Sequence, residues 1–194
     1  MKRFFLFFAL VFAALTTSFA QSTSYKAFKV DVGGLYAIPS GDGIKAGVGF
    51  YLEPKYNIND NIALGLKMEW ALMGASDKLG SNASVSTLGT YQLTGDYYFN
   101  TNKIRPFAGL GLGIYNLGTV EFSANLNETD DAITINGDPI DYGSKFGFTP
   151  RVGLLMGHFR VALEYNAIMG VDDVLDSKNY LSFKLGFEIG GGKK

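Results

Sequence analysis

The sequence contains no cysteine and only one histidine, His158. The absence of cysteine excludes disulfide bonds, thiolate metal sites, thiol nucleophiles and a lipid-anchored cysteine. Basic and acidic residues nearly balance, 17 against 18, and no basic block suggests nucleic-acid binding. Beyond the N-terminal segment, no run approaches the roughly 20 apolar residues of a membrane-spanning helix. The length of 194 residues is that of one domain with its processing signals.

The N-terminal segment has the pattern of a secretory signal peptide. A basic pair precedes the short apolar run Phe4–Leu15, and small residues stand at the −3 and −1 positions of a cleavage site within residues 18–20. An uncleaved anchor helix is disfavoured because the apolar run is too short to span a membrane comfortably. We therefore predict a cleaved signal peptide at residues 1–20 and an exported domain at residues 21–194.

The sequence is rich in two-residue alternation. In residues 61–74, NIALGLKMEWALMG, a large apolar residue occupies every second position from Ile62 to Leu72. Small or charged residues stand between them, which is the pattern of a β-strand with one apolar and one polar face. The 25 glycines and the aromatic content of 14% also favour a sheet over a helical bundle.

The same alternation recurs along the chain. It predicts eight strands, at about residues 27–38, 45–56, 61–74, 91–99, 105–116, 146–156, 159–169 and 179–189. Short turns are predicted at 57–61, 100–103 and 157–158, longer loops at 74–86 and 117–145, and an intermediate loop at 170–178. Strands of roughly ten residues suit a tilted path across a membrane. With an even number of strands and short periplasmic turns, both termini are expected on the periplasmic side.

Some residues do not fit this alternation. Leu35 is an exception in the first strand, and Leu88 predicts a bulge or loop before Tyr91. Three prolines fall inside strands, where they cannot donate a ladder hydrogen bond, and are expected near a rim: Pro54, Pro106 and Pro150. The C-terminal sequence GGGKK, residues 190–194, is expected to be a flexible basic tail.

The second face of the strands mixes small residues with charges of both signs. Lys45 lies on this face, together with twelve candidate lumen residues: Lys29, Asp31, Glu53, Lys55, Lys67, Glu69, Asp96, Arg151, Arg160, Glu164, Lys184 and Glu188. This composition suits a closed interior in which charges pair, because side chains just fill an eight-stranded barrel and buried charge is tolerated only when paired. We predict an all-β fold, an eight-stranded antiparallel up-and-down transmembrane β-barrel. A soluble exported lipocalin-like barrel is the alternative.

The sequence offers little for catalysis or metal binding. His158 lies in the shortest turn, on the predicted periplasmic side, and is interpreted as a polar turn residue. Glu69 or Glu164 beside a basic residue is more simply explained by a structural salt bridge. The glycines of Gly109–Gly113 recur with a period of two on one strand face, unlike a dinucleotide-binding turn. The acidic region 117–145 lacks the ligand spacing of an EF-hand. We expect no enzyme activity, no cofactor and no metal site.

Two segments resemble a known family. Arg105–Tyr115, RPFAGLGLGIY, resembles the proline–aromatic–glycine-rich strand of the small outer-membrane barrels of the OmpA, OmpX and OmpW type, the outer membrane protein β-barrel domain group; Arg160–Asn166, RVALEYN, is also similar. The resemblance implies an eight-stranded barrel in the outer membrane of a Gram-negative bacterium, inserted by the outer-membrane assembly machinery, and no single activity. Many such proteins end on an aromatic residue, whereas here Phe187 and Ile189 precede GGGKK.

Two functions remain open from the sequence. The first is an integral outer-membrane barrel with a largely charge-plugged lumen and a structural or surface-interaction role through its outer loops. The second is a narrow, porin-like channel for small or hydrophobic solutes, which the OmpW resemblance allows. Opposite charges on the inner face favour the first, whereas the glycines of the second and fifth strands leave space for the second. Expected partners are outer-membrane lipid and lipopolysaccharide. The acidic loop is interpreted as a solvated surface loop, and bridging to lipopolysaccharide through divalent ions is the alternative. We expect a monomer that does not bind nucleic acid.

Overall fold

A computed structural model describes residues 24–40, 44–76, 82–123, 140–170 and 179–193. Its strands form one closed antiparallel barrel in which each strand pairs with its neighbours in sequence and the last strand pairs with the first. The strands are β1 (Phe28–Pro39), β2 (Ile44–Asn57), β3 (Ile62–Ser76), β4 (Asn82–Tyr98), β5 (Ile104–Ser123), β6 (Ile140–Met156), β7 (Phe159–Ile168) and β8 (Tyr180–Gly190). The predicted fold class is thus confirmed, while the predicted signal peptide and its cleavage site lie outside the described residues.

The apolar face of the strands points away from the barrel axis. Leu93 is 71% exposed and Phe50 59%, and the same holds for large apolar residues on every strand. Within the described ranges, no helix is long and apolar enough to cross a membrane. An outward apolar band is the surface of a barrel embedded in lipid. A lipocalin-like barrel would bury this face, so the soluble alternative does not fit.

The two leucines that interrupt the alternation lie inside the barrel. Leu35 is 5% exposed and Leu88 is 3% exposed. They are in phase with their strands but are apolar residues on the inner face. β4 pairs with both neighbours without interruption from Ala83 to Tyr97, so the bulge expected before Tyr91 is wrong and β4 begins within the loop predicted at 74–86.

The register does shift at two other places. One irregularity lies in β2 between Ile44 and Gly47, and the other lies in β5 between Asn116 and Gly118. Beyond the second, β5 continues to Ser123 and pairs with the start of β6. The region predicted as a loop at 117–145 therefore has strand at both ends, and its centre, residues 124–139, lies outside the described residues.

The three strand prolines differ in their positions. Pro54 and Pro106 lie near the ends of β2 and β5 that adjoin short turns, as predicted. Pro150 lies well inside β6, which contradicts the expectation of a rim position. Pairing with β7 is interrupted there, between Phe148 and Arg151, and the β2–β3 pairing has a similar gap beside Pro54. Because proline has no N–H, each gap is the expected local loss of ladder bonds.

The C-terminal segment folds against the N-terminal segment at the end of the barrel that carries the short turns. Gly190 and Gly191 adopt positive φ angles of 80° and 64°, which turn the chain under the lumen. The Lys26 N–H donates to the Gly192 carbonyl at 3.0 Å, and the Gly191 N–H donates to the Phe28 carbonyl at 3.1 Å. The expectation of a flexible tail is therefore wrong for residues 190–193, and both ends of the domain lie on the short-turn side, as predicted.

Candidate functional site

The lumen holds all twelve of the charged residues singled out on the inner face. Each of them is at most 4% exposed, and each forms at least one ion pair with another of the twelve. Lys45, which has the same strand parity, is exposed instead. It lies within the irregular stretch of β2 between Ile44 and Gly47, near the loop end of the barrel.

Six of these residues form a lower cluster, on the side of the short turns: Asp31, Glu53, Lys55, Asp96, Arg151 and Arg160. The Asp96 carboxylate is its centre and accepts hydrogen bonds from Arg151 Nε at 2.7 Å, Lys55 Nζ at 2.8 Å and Arg160 Nη2 at 2.9 Å. Asp31 and Glu53 provide the remaining negative charge, at 2.6 Å from Lys55 Nζ and 2.9 Å from Arg151 Nη2. Five strands meet through this one carboxylate and its partners.

Four residues form an upper cluster, on the side of the long loops: Lys67, Glu69, Glu164 and Lys184. Glu164 Oε2 lies 2.6 Å from Lys67 Nζ and 2.8 Å from Lys184 Nζ. Glu69 pairs with Lys184 and lies 3.5 Å from Lys67 Nζ. Arg151 Nη1 lies 3.6 Å from Glu164 Oε1, so the two clusters are in contact.

The remaining pair, Lys29 and Glu188, lies at the short-turn end with 2.8 Å between Lys29 Nζ and Glu188 Oε2. With this pair, the lumen set contains six cationic and six anionic side chains. Burying a single charge costs on the order of several kcal/mol, unless an opposite charge and hydrogen bonds replace the water. The equal numbers and the short distances satisfy that condition.

Neutral polar side chains complete the network, and the sequence analysis did not single them out. Tyr115 Oη lies 2.6 Å from Thr149 Oγ1, and Gln92 Nε2 donates to Thr149 Oγ1 at 2.8 Å. Tyr180 Oη donates to Glu69 Oε1 at 2.8 Å, so a neutral hydroxyl group also binds the upper cluster. The available signal was strand parity, because these residues share the inner face with the charges.

Apolar layers lie on both sides of the ion clusters. The loop-end layer consists of Leu35, Ala37, Ala71, Met73, Leu88, Tyr115, Ile168 and Tyr180. The turn-end layer consists of Ala63, Tyr98, Phe107, Leu155 and Ala162. The Arg160 guanidinium lies 3.8 Å from the centroid of the Phe107 ring, so the lower cluster packs directly on the turn-end layer.

Neighbouring atoms occupy the space beside the glycines of the inner face, so these glycines do not add free volume to the lumen. A methyl group on Gly109 would meet Arg151 Nε at 3.1 Å, and one on Gly153 would meet the Phe107 ring at 2.6 Å. On β2, a methyl group at Gly49 would overlap the backbone of β3. The glycines of the second and fifth strands therefore let bulky side chains or neighbouring strands approach, which differs from the open space expected of a channel.

His158 occupies the two-residue turn between β6 and β7, as predicted. Its Nδ1 lies 2.8 Å from the Glu188 carbonyl oxygen. Among the described residues, no three histidine, aspartate or glutamate side chains are grouped to hold a metal ion. The acidic segment considered for divalent ions lies mainly at residues 124–139, outside the described part of the chain.

Comparisons with known proteins agree with this architecture. Residues 7–191 match the family model of the outer membrane protein beta-barrel domain. No curated protein sequence matches the chain. Neisserial surface protein A superimposes with a TM-score of 0.62 at 15% identity, covering 86% of this chain and 98% of its own. Ail, the attachment invasion locus protein of Yersinia pestis, superimposes with a TM-score of 0.52 at 15% identity, covering 84% and 99%.

A second structure of Ail, in complex with the heparin analogue sucrose octasulfate, has a TM-score of 0.51 at 16% identity and covers 86% of this chain and 99% of that one. At such identities these likenesses show the fold alone, whereas the family match covers nearly the whole chain. With its outward apolar band and closed barrel, the chain belongs to the outer membrane protein beta-barrel domain family and is an integral protein of the Gram-negative outer membrane.

Proposed function

We propose that this protein is a non-conducting outer-membrane barrel whose lumen is plugged by its own charges. Its role is structural or one of surface interaction, and contacts with other molecules are made by its outer face and loops. The observation that carries the proposal is the neutral lumen set of twelve paired charges, whose lower and upper clusters lie between the loop-end and turn-end layers.

A solute path through this lumen would have to separate several buried ion pairs at once. At the lower cluster, Asp96 alone holds Arg151, Lys55 and Arg160 within 2.9 Å. Breaking one buried pair typically costs about 3–5 kcal/mol. The free-energy cost of opening a path past three such pairs is therefore high, which favours the plugged barrel over the narrow-channel alternative.

The outer end of the barrel is the part available for surface contacts. β4 and β5 remain paired up to Asn82 and Ser123, well beyond the level of Tyr115 in the loop-end layer. This paired extension carries the ends of both strands beyond the loop-end layer. By analogy with Ail, whose structure contains a sulfated heparin analogue, anionic surface polymers are one class of partner to test; lipopolysaccharide, reached through divalent ions, is another.

The apolar band contacts outer-membrane lipid, and the chain is inserted by the outer-membrane assembly machinery and remains a monomer. It has no enzymatic role, because the buried carboxylates Glu69 and Glu164 are held by lysines and His158 Nδ1 lies within hydrogen-bond distance of the Glu188 carbonyl oxygen of β8.

Single-channel conductance of the domain, residues 21–194, refolded and reconstituted in a planar bilayer, tests the proposal. We expect no steady openings from protein that shows β-sheet by circular dichroism and a heat-dependent gel shift. A porin measured in the same bilayers shows that openings are detectable. Steady openings that change when Glu69→Gln or Arg151→Gln is introduced would instead establish the narrow channel and refute the plug.

A further inference from the structure

A cavity of about 330 Å³ lies at the short-turn end of the barrel, apart from the ion clusters. Four parts of the chain surround it: the turn before β5, the Gly157–His158 turn, Tyr25 just before β1, and the segment 191–193 that follows β8. Arg105, Leu155 and Glu188 complete the lining. The volume is at the lower end of the range for small-molecule sites, about 300–1,000 Å³.

Backbone hydrogen bonds hold the wall of this cavity in place. The Gly157 N–H donates to the Lys103 carbonyl at 3.0 Å, and the Glu188 N–H donates to the His158 carbonyl at 2.7 Å. Tyr25 Oη donates to the Thr101 carbonyl at 2.8 Å. The cavity is therefore preformed by the folded chain, so a ligand would not need to order its walls.

The lining carries an excess of positive charge. Lys103 and Lys193 are exposed at its mouth, and Arg105 is buried with only 4% exposure. None of the ion pairs found among the described residues includes Lys103, Arg105 or Lys193. The lining carboxylate, Glu188, is already neutralised by Lys29 at 2.8 Å.

Arg105 is fixed in a defined orientation. Its guanidinium carbon lies 4.1 Å from the centroid of the Tyr25 ring and 4.2 Å from that of the Tyr98 ring. Its Nε donates to the Asn100 carbonyl at 3.2 Å, and its Nη2 donates to the Asp60 carbonyl. None of the contacts described for Arg105 is an ion pair with a carboxylate, so its charge is available to attract an anion.

We propose that this cavity, the basic pocket, binds a small organic anion that has a phosphate or carboxylate group and an apolar body. Lys103, Arg105 and Lys193 attract the anionic group, while the Leu155 side chain and the Tyr25 ring contact the apolar part. The pocket opens on the periplasmic side, so the ligand is either a soluble periplasmic anion or the head group of an inner-leaflet lipid.

Titration of the folded protein with phenylphosphate, followed by the amide NMR signals of residues 157, 158, 191 and 192, tests this site. We expect saturable shifts confined to these amides, with weaker binding of inorganic phosphate and no binding of the neutral benzyl alcohol. Lys103→Gln and Lys193→Gln, both surface changes, should each weaken phenylphosphate binding by about fivefold, the effect of one ion pair in water. Lys45→Gln, an exposed lysine at the opposite rim, is the matched control and should have no effect.

Comparison of nanodiscs made of phosphatidylcholine with nanodiscs that contain phosphatidylglycerol distinguishes the two sources of ligand. Weaker phenylphosphate binding in the anionic discs would identify a lipid head group as a competitor, whereas unchanged binding would identify a soluble anion. Shifts spread over the whole barrel, equal binding of benzyl alcohol, or an equal effect of Lys45→Gln would overturn the basic pocket. None of these outcomes depends on whether the lumen conducts.

Discussion

Replacing Asp96 with asparagine should destabilise the barrel far more than a change at a position exposed to water. The substitution keeps the shape of the side chain but removes the charge that lies 2.7–2.9 Å from Arg151, Lys55 and Arg160. The lumen would then hold six cations and five anions, and Arg160 would keep only Asp31, at 3.4 Å, as an anionic partner among its described ion pairs. Loss of one partner from a buried pair costs about 3–5 kcal/mol, so we expect a loss of that size in the free energy of unfolding.

Reversible urea unfolding in lipid vesicles, followed by tryptophan fluorescence and the heat-dependent gel shift, measures this change. Lys45→Gln removes one charge from an exposed position and is the control, with an expected change below about 0.5 kcal/mol. The double variant Asp96→Asn with Lys55→Gln restores neutrality and should recover part of the loss, since contacting charges are not additive. A loss below about 1 kcal/mol for Asp96→Asn is the value of a solvated ion pair. Such a value would mean that water fills the lumen, and the dry plug would be refuted.

Two further substitutions test the packing of the two faces. Gly186→Ala should prevent or slow folding, because a methyl group there would overlap the Tyr51 side chain. Gly95→Ala is the control and should fold normally, because the atom nearest to its added methyl group lies 3.6 Å away. The heat-dependent gel shift compares the two variants, and normal folding of both would show that the lumen is loosely packed. Leu93→Arg places a charge at a position that is 71% exposed in the apolar band and should cost about 2–4 kcal/mol in urea unfolding, as expected in hydrocarbon. Thr101→Arg, in an exposed short turn, should change stability little, and equal effects of the two arginines would argue against lipid around Leu93.

The strand pattern was predictable because side chains alternate with a period of two, a property of each strand by itself. From Phe50 to Glu53, the residues of even number, which are apolar, face outward, and the residues of odd number face the lumen, as the alternation predicts. The same local rule placed the charged residues on one face. It also explains the two exceptions, since Leu35 and Leu88 are apolar residues on the inner face, and their apolar character suggests the outer face instead.

The position of the chain ends and of Pro150 was not predictable from local pattern. GGGKK has the composition of a flexible tail, yet residues 190–193 are held by hydrogen bonds to residues 26 and 28, more than 160 positions away in the sequence. Pro150 is tolerated inside β6 because the loss of pairing is confined to the β6–β7 side, while β6 remains continuously paired to β5 around it. Both outcomes depend on which segments the closed sheet makes neighbours.

The sequence by itself determined the class of protein, the order of the strands and the face on which the twelve lumen charges lie, because these follow from the two-residue alternation. Only the tertiary structure decided which charges pair. Asp96 of β4 meets Lys55 of β2, Arg151 of β6 and Arg160 of β7, and no spacing in the sequence relates these residues. The physical reason is that closure of the barrel brings opposite walls within the reach of long side chains, and each buried charge must then find its partner across the lumen.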